Sequence, residues 1–180
     1  YMMSMLYSAL GYQEKAIETV NTLLKQTDDY SLAYRAYLVQ AKSYIEMYEH
    51  DMAILVLKAA IKVKNWAFDD GARLIYYAAK SYFYKEEYKK SLYLFSILRS
   101  RFPYAAESTV AKNFLTYLEN NNIIVTEQVS WLESYYEERA ILPFVTENAG
   151  LAFDAEQEAE QLVLEGESIN GQIVYSEIDE

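Results

Sequence analysis

The chain contains no cysteine, one histidine, five glycines and two prolines among its 180 residues. Without cysteine it can form no disulfide, no zinc–thiolate site and no thiol nucleophile. The five glycines are scattered along the chain, so no glycine-rich phosphate loop is present. No run of about 18 apolar residues occurs, so the sequence predicts no direct insertion into a membrane.

The single histidine, His50, lies in the tripeptide Glu49-His50-Asp51 between two predicted helices. A catalytic base, a metal ligand or a pH sensor could occupy such a place, but we interpret a lone turn histidine as an exposed residue without a role. Adjacent acids such as Glu86-Glu87 point about 100° apart on a helix, so they do not converge as a catalytic pair does. We therefore expect no catalytic residue, cofactor or metal here, and an enzyme with these helices as an accessory is only a third possibility.

Charge is distributed unevenly along the chain, whose net charge is −11. Residues 142–180 hold ten Asp or Glu and no Lys or Arg, which leaves 17 acids and all 16 bases in residues 1–141. The body is therefore nearly neutral and the tail is acidic. Because phosphate binding needs clustered positive surface, we expect no nucleic-acid partner.

A tetrapeptide recurs in the body of the chain. Ala41-Lys42-Ser43-Tyr44 returns 38 residues later as Ala79-Lys80-Ser81-Tyr82, with weaker copies at Ala111-Lys112-Asn113-Phe114 and Ser4-Met5-Leu6-Tyr7. Self-similarity at this period predicts a stack of helix pairs. Apolar residues at three- and four-residue spacing predict four pairs: Met2–Leu10 with Gln13–Gln26, Tyr30–Tyr48 with Asp51–Val63, Asp70–Tyr84 with Tyr88–Ser100, and Tyr104–Glu119 with Thr126–Ala140.

Local signals support these pairs. Asp28-Asp29 and Asp69-Asp70 offer side-chain oxygens that would cap the helices that follow them. The second helices carry matched small and large residues at Ala16-Ile17, Ala53-Ile54 and Ser91-Leu92. The small residues would let the two helices of a pair approach closely, while the large ones fill the layer between pairs.

These residues resemble the tetratricopeptide repeat family over about residues 1–120. The residues that match the family's pattern are Gly11, Ala16, Ala53, Ala60, Tyr88, Phe95 and Pro103. The resemblance implies an all-α, right-handed superhelical solenoid of antiparallel helix pairs. Two features depart from the family: the period is 37–38 residues rather than about 34, and the Trp and Leu early in the first helix are missing. The segment Tyr93–Leu118 is also faintly similar to repeats of bacterial envelope-assembly proteins.

The sequence thus predicts three regions: helical repeats at 1–120, a capping helix within 121–141 and an acidic tail at 142–180. In the capping helix, Val129, Leu132 and Tyr136 share one face. The first repeat copy begins inside its predicted helix, so we expect further sequence upstream, where a signal peptide or lipid anchor could lie. Nothing fixes the compartment, although the cytoplasm is slightly favoured over the bacterial periplasm.

The basic residues of the first helices recur on one face of those helices. In the tetratricopeptide repeat family, which the chain resembles, the first helices line the concave surface. Arg35 and Lys42 are seven residues apart, Arg73 and Lys80 repeat that spacing, and Lys112 follows Ala111. We interpret these bases as a cationic groove for an extended acidic and apolar segment, with the alternative that they only solvate the helices. The predicted groove residues are Arg35, Leu38, Lys42, Ile45, Arg73, Tyr76, Lys80, Phe83, Tyr84 and Lys112.

The acidic tail is one candidate ligand for that groove. Leu151–Glu165 is a possible helix, and Ile173-Val174-Tyr175 is a short extended run. The tail could dock on its own chain, on a neighbouring copy or on another protein, or it could be a solvating tail or linker. Its predicted contact residues are Phe153, Leu162, Val163, Ile173, Val174 and Tyr175.

Two functions follow from these patterns. The favoured one is a non-catalytic scaffold that binds protein partners within a multi-subunit complex. The alternative is a chaperone or targeting adaptor that holds a client protein, for instance in bacterial envelope assembly.

Overall fold

The computed structural model describes residues 1–63, 68–125 and 127–132, together with the backbone of residues 168–169 and 172–173. Every regular element that it describes within residues 1–132 is helical, so the all-α prediction is confirmed for this part of the chain. Residues 130–132 are also helical. The seven helices are α1 Met2–Ala9, α2 Gln13–Gln26, α3 Tyr30–Glu46, α4 His50–Ala60, α5 Phe68–Tyr84, α6 Tyr88–Arg101 and α7 Ala106–Asn120.

The predicted bounds of the first seven helices agree with these ranges to within two residues except at the end of α4, which stops at Ala60 rather than Val63. The predicted start of the eighth helix at Thr126 is wrong, because residues 127–129 are not helical and the helix begins at Ser130. The predicted cap at Asp29 is confirmed, because its carboxylate accepts hydrogen bonds from the amides of Ser31 and Leu32 at 2.9 and 3.1 Å. The predicted cap at Asp69-Asp70 is wrong, because α5 already begins at Phe68.

The helices pack in chain order, each against the next, from α1 to α7. Each odd-numbered helix also contacts the next odd-numbered helix, so that α1 touches α3, α3 touches α5 and α5 touches α7. No comparable contact joins α2 to α4 or α4 to α6 within these described helices. The odd-numbered helices, the first members of the predicted pairs, therefore form the more closely spaced side of the stack.

A left-handed backbone conformation ends each odd-numbered helix. It occurs at Gly11, Tyr48, Glu86 and Asn122, with φ of 82°, 62°, 61° and 56°. At all four turns the next amide donates to the carbonyl five residues earlier, and these acceptors are Tyr7, Tyr44, Tyr82 and Leu118. This is the hydrogen-bond pattern of a Schellman C-cap, which satisfies carbonyls that the helix leaves unpaired.

The same turns correct the register of the fourth repeat. Asn122 follows Glu86 by 36 residues, so Leu115 and not Ala111 stands where Ala79 stands. Burial agrees with this alignment, since the buried residues Ser108, Ala111, Leu115 and Leu118 of α7 correspond to Ala72, Ile75, Ala79 and Tyr82 of α5. The sequence alignment of Ala111 with Ala79 was therefore wrong by one helical turn.

The predicted small residues of the second helices are fully buried. Ala16, Ala53 and Ser91 have no exposed surface. The Ser91 hydroxyl donates to the Ala79 carbonyl at 3.0 Å, so α6 lies directly against the backbone of α5. This close approach confirms the prediction for the third pair.

Residues 127–132 fold back onto the helices. Val129 and Leu132 are 3% and 1% exposed. The indole Nε1 of Trp131 donates to the hydroxyl of Tyr82 at 3.0 Å, and the Lys58 ammonium lies 5.9 Å from the Trp131 ring centroid. The described start of the predicted capping segment thus covers part of the core, while the rest of that segment, including Tyr136, lies outside the described residues.

Two short strands, β1 Ser168–Ile169 and β2 Gln172–Ile173, pair antiparallel with Ser168 opposite Ile173. Asn170-Gly171 stands between them, the dipeptide that two-residue hairpin turns favour. The predicted extended run is confirmed at Ile173. The predicted helix at 151–165 lies outside the described residues, as do the predicted contact residues Phe153, Leu162, Val163, Val174 and Tyr175.

Candidate protein-binding groove

A pocket of about 220 Å³, the groove pocket, opens between three odd-numbered helices. Because α1, α3 and α5 touch one another in turn, their side chains meet on the closely spaced side of the stack. The lining residues are Tyr1, Met5, Ser8 and Ala9 around α1, Arg35, Leu38, Val39 and Lys42 on α3, and Arg73 and Tyr77 on α5.

Three of the five predicted basic residues, Arg35, Lys42 and Arg73, line the groove pocket together. Arg35 is exposed, while Lys42 and Arg73 are half-buried. Among the residues that the structure describes, no acid lines the pocket. The described lining of the pocket therefore brings three basic side chains to one concave surface.

Arg73 is held in place by a neighbouring carboxylate at the edge of the groove pocket. Its Nε donates to Oε1 of Glu107, in the first turn of α7, at 3.2 Å. The two side chains are 42% and 18% exposed, so solvent screens the pair and its main effect is to orient the guanidinium.

Tyr77 adds an uncharged polar group to the same wall. Burial raises the pKa of Tyr77 to about 12, although the positive charge of Arg73 acts to lower it. The phenol therefore stays protonated at neutral pH, so its oxygen can both donate and accept a hydrogen bond.

Two of the predicted groove residues are core residues. Leu38 and Ile45 are 2% and 4% exposed. Leu38 still borders the groove pocket, whereas Ile45 is not among its lining residues. The helical period alone does not separate the surface of the groove from the layer of side chains beneath it.

Predicted aromatic residues of α5 pack against the next odd-numbered helix, α7. The ring centroid of Phe83 lies 4.9 Å from that of Phe114 on α7, and the Tyr76 centroid lies 6.4 Å from Phe114. Tyr84 is 46% exposed, with the Lys80 ammonium 5.8 Å from its ring centroid. Tyr76 and Phe83 therefore join α5 to α7, while Tyr84 and Lys80 reach the surface.

Lys112 is exposed, but it does not continue the series formed by Lys42 and Lys80. In the corrected register Thr116 takes that position, and Lys112 stands where Tyr76 stands. The predicted row of five bases thus becomes three residues at one pocket, with Lys80 and Lys112 not among the residues that line it.

The contribution of α1 to the groove pocket was not predicted from the sequence. Met5 occupies the repeat position of Lys42 and Lys80, so the tetrapeptide alignment places it on the same face. An apolar Met at this position breaks the basic pattern, which is why charge spacing alone does not find it.

Within the part of the chain that the structure describes, no helix combines the length and apolar character needed to cross a membrane. The same residues bring no three potential metal ligands together. Comparisons with protein-family models, with curated proteins and with solved structures gave no match. Membership of the tetratricopeptide repeat family therefore stays a prediction that depends on the residues quoted above.

Proposed function

We propose that this chain is a non-catalytic scaffold of the tetratricopeptide repeat type, a right-handed solenoid of antiparallel helix pairs. Its concave side, formed by the odd-numbered helices, binds an extended acidic and apolar segment of a partner protein in a larger assembly. One observation carries this proposal: Arg35, Lys42 and Arg73 border one pocket, and no acid is among the lining residues that the structure describes.

The chemistry of the groove pocket suits a carboxylate next to an apolar side chain. The guanidinium groups of Arg35 and Arg73 are planar forks that match carboxylates, while Lys42 supplies a compact positive charge. Met5 and Val39 offer apolar walls, and Met adapts its shape to different partners. A ligand that alternates acidic and apolar residues would satisfy both kinds of contact.

Binding should be weak and sensitive to salt. Partly exposed charges are screened over a Debye length of about 8 Å at physiological ionic strength. A single short segment in a pocket of this size buries much less than a stable interface of about 1,600 Å², so we expect a Kd on the order of 10 μM or weaker at low salt.

Fluorescence anisotropy with a labelled peptide of alternating Glu and Leu tests the proposal. Lys42→Glu should weaken binding by about tenfold or more, because it places a negative charge in the pocket. The matched control is Lys89→Glu, the same reversal at an exposed residue on the even-numbered helix α6. Equal binding of a Gln-for-Glu peptide, or an equal loss in both variants, would contradict a carboxylate-binding groove.

The alternative, an adaptor that holds a client protein, is favoured by the surface of α1. This helix has no charged residue, and Met2, Met3 and Leu6 are 83%, 52% and 52% exposed. Flexible apolar side chains of this kind contact many partners. If the chain holds clients, Leu6→Ser should reduce its ability to suppress aggregation of a denatured protein, measured by light scattering, while Lys42→Glu should not.

A further inference from the structure

We infer that the resting occupant of the groove pocket is the acidic segment 142–180 of the same chain, and that a partner must displace this segment to bind. The inference rests on the proposed function, because it requires a groove that accepts acidic and apolar polypeptide. The inference goes beyond that function because it names the segment that fills the groove before a partner binds and the way in which access to the groove is regulated.

Charge complementarity points to this segment. Residues 142–180 carry ten acids and no base, whereas residues 1–141 carry 17 acids and 16 bases. The groove pocket gathers Arg35, Lys42 and Arg73, with no acid among the lining residues that the structure describes. The most acidic part of the chain and this cationic concavity therefore attract each other.

The order of residues in the segment also matches the pocket. Asp154, Glu156, Glu158 and Glu160 alternate with Ala and Gln, and the apolar pair Leu162-Val163 follows them. The pocket offers cations together with the apolar walls of Met5 and Val39. One short stretch of the segment can thus place its acids against the cations of the pocket and its apolar pair against the apolar walls.

The distance from the body of the chain to the groove pocket is not an obstacle. The chain is anchored at Trp131, whose Nε1 donates to the hydroxyl of Tyr82 on α5, and α5 also supplies Tyr77 to the pocket. Residues 133–153 could span up to roughly 70 Å when extended. Crossing two packed helices takes only about 20 Å, so the acids can reach the pocket from this anchor.

Attachment to the same chain makes even a weak contact effective. Covalent attachment through a connection long enough to reach the site gives a ligand an effective concentration on the order of 1 mM. With an intrinsic Kd of about 0.1 mM, the segment would occupy the groove in roughly nine of ten molecules. An outside ligand would then bind about tenfold more weakly than to an empty groove.

Zero-length cross-linking of the full chain tests the contact directly. A carbodiimide joins a Lys amine to a carboxylate that touches it, and trypsin then releases residues 140–180 as a single peptide because no Lys or Arg follows Arg139. Mass spectrometry should find this peptide joined to Lys42 far more often than to Lys89. An equal mixture of ¹⁴N- and ¹⁵N-labelled chains should give only same-label products, whereas mixed-label products or no link to Lys42 would overturn the inference.

Binding by a full-chain variant separates this inference from the proposed function. Asp154→Asn with Glu156→Gln, Glu158→Gln and Glu160→Gln should bind the outside Glu–Leu peptide about tenfold more tightly than the unmodified chain. The control variant, Glu177→Gln with Asp179→Asn and Glu180→Gln, should change the Kd by much less. Equal Kd values for the first variant and the unmodified chain would overturn the inference alone, whereas no binding by either would overturn the proposed function as well.

Discussion

The imidazole of His50 stacks on the phenol ring of Tyr84, with centroids 5.2 Å apart and ring planes inclined by 15°. His50 begins α4 and Tyr84 ends α5, so the contact joins two neighbouring pairs. The Nδ1 atom of His50 is buried and has no hydrogen-bond partner in the described part of the chain. The sequence interpretation of His50 as an exposed turn residue was therefore wrong.

This contact predicts a loss of stability in mild acid. Burial lowers the pKa of His50 below its model-peptide value of 6.5, and the charges of Lys80 and Lys85 act in the same direction against those of Asp51 and Glu49. Since the unfolded chain binds the proton more readily, the stabilisation is complete above about pH 6.5 and is lost as the pH falls towards the lower folded pKa.

The variant His50→Gln removes the titrating group and should flatten this part of the pH profile. Thermal unfolding of both proteins at half-unit steps from pH 7.5 to 5.0 measures the effect as the difference in Tm. The Tm of the unmodified chain should fall further than that of the variant. Parallel profiles would show that His50 does not couple protonation to folding.

The turns after the odd-numbered helices predict stabilising substitutions. Tyr48 and Glu86 adopt φ of 62° and 61°, where a side chain costs about 1–2 kcal/mol that glycine avoids. Tyr48 is 80% exposed, so its removal costs little packing. Glycine also increases the conformational entropy of the unfolded chain, which offsets part of this gain. Tyr48→Gly and Glu86→Gly should therefore each raise the free energy of unfolding by about 0.5–1 kcal/mol in urea titrations.

Gly11 provides the opposite control at the equivalent turn. A Cβ built on Gly11 meets no atom within 4 Å, so the backbone conformation at φ 82° is the only source of strain. Gly11→Ala should therefore lower the free energy of unfolding by about 1 kcal/mol. If glycine fails to stabilise position 86 while alanine is tolerated at position 11, the turn conformation does not limit stability.

The helices could be predicted from the sequence because their information is local. Apolar spacing gives both ends of α2 correctly, and the Asp29 cap gives the start of α3. The small residues Ala53 and Ser91 could be recognised because close helix packing excludes larger side chains at those positions.

The residues that line the groove could not all be predicted from the sequence, because their positions depend on tertiary contacts. Ala111 looks like Ala79 in its local sequence, yet the turn at Asn122 moves the matching position to Leu115. Ile45 shares the helical face of Lys42 but packs into the core, because the neighbouring helices decide how much of a face they cover. The pairing of residues 168–169 with 172–173, by contrast, could have been predicted from Asn170-Gly171, which is a local turn signal.

The repeat register also predicts which side chains of α4 tolerate change. Ala53 has no exposed surface, whereas Leu55 on the same helix is 58% exposed. Ala53→Leu should lower the free energy of unfolding by about 1–3 kcal/mol, since the added atoms force the paired helices apart. Leu55→Ala should change it by less than about 0.5–1 kcal/mol in the same urea titrations. Equal effects at the two positions would contradict the assigned register.

The bond between Trp131 and Tyr82 predicts that the segment at 127–132 stabilises the helices it covers. Trp131→Phe removes the indole donor, and Tyr82→Phe removes its acceptor from a ring that is 6% exposed. Each substitution should lower the free energy of unfolding by about 1 kcal/mol, while the double variant should lose little more than either single one, because both remove the same hydrogen bond. The control Tyr104→Phe, at a residue 85% exposed, should have no measurable effect. Urea unfolding of the four proteins measures this double-mutant cycle. Strictly additive losses would mean that the two side chains contribute separately and that this bond does not hold the segment in place.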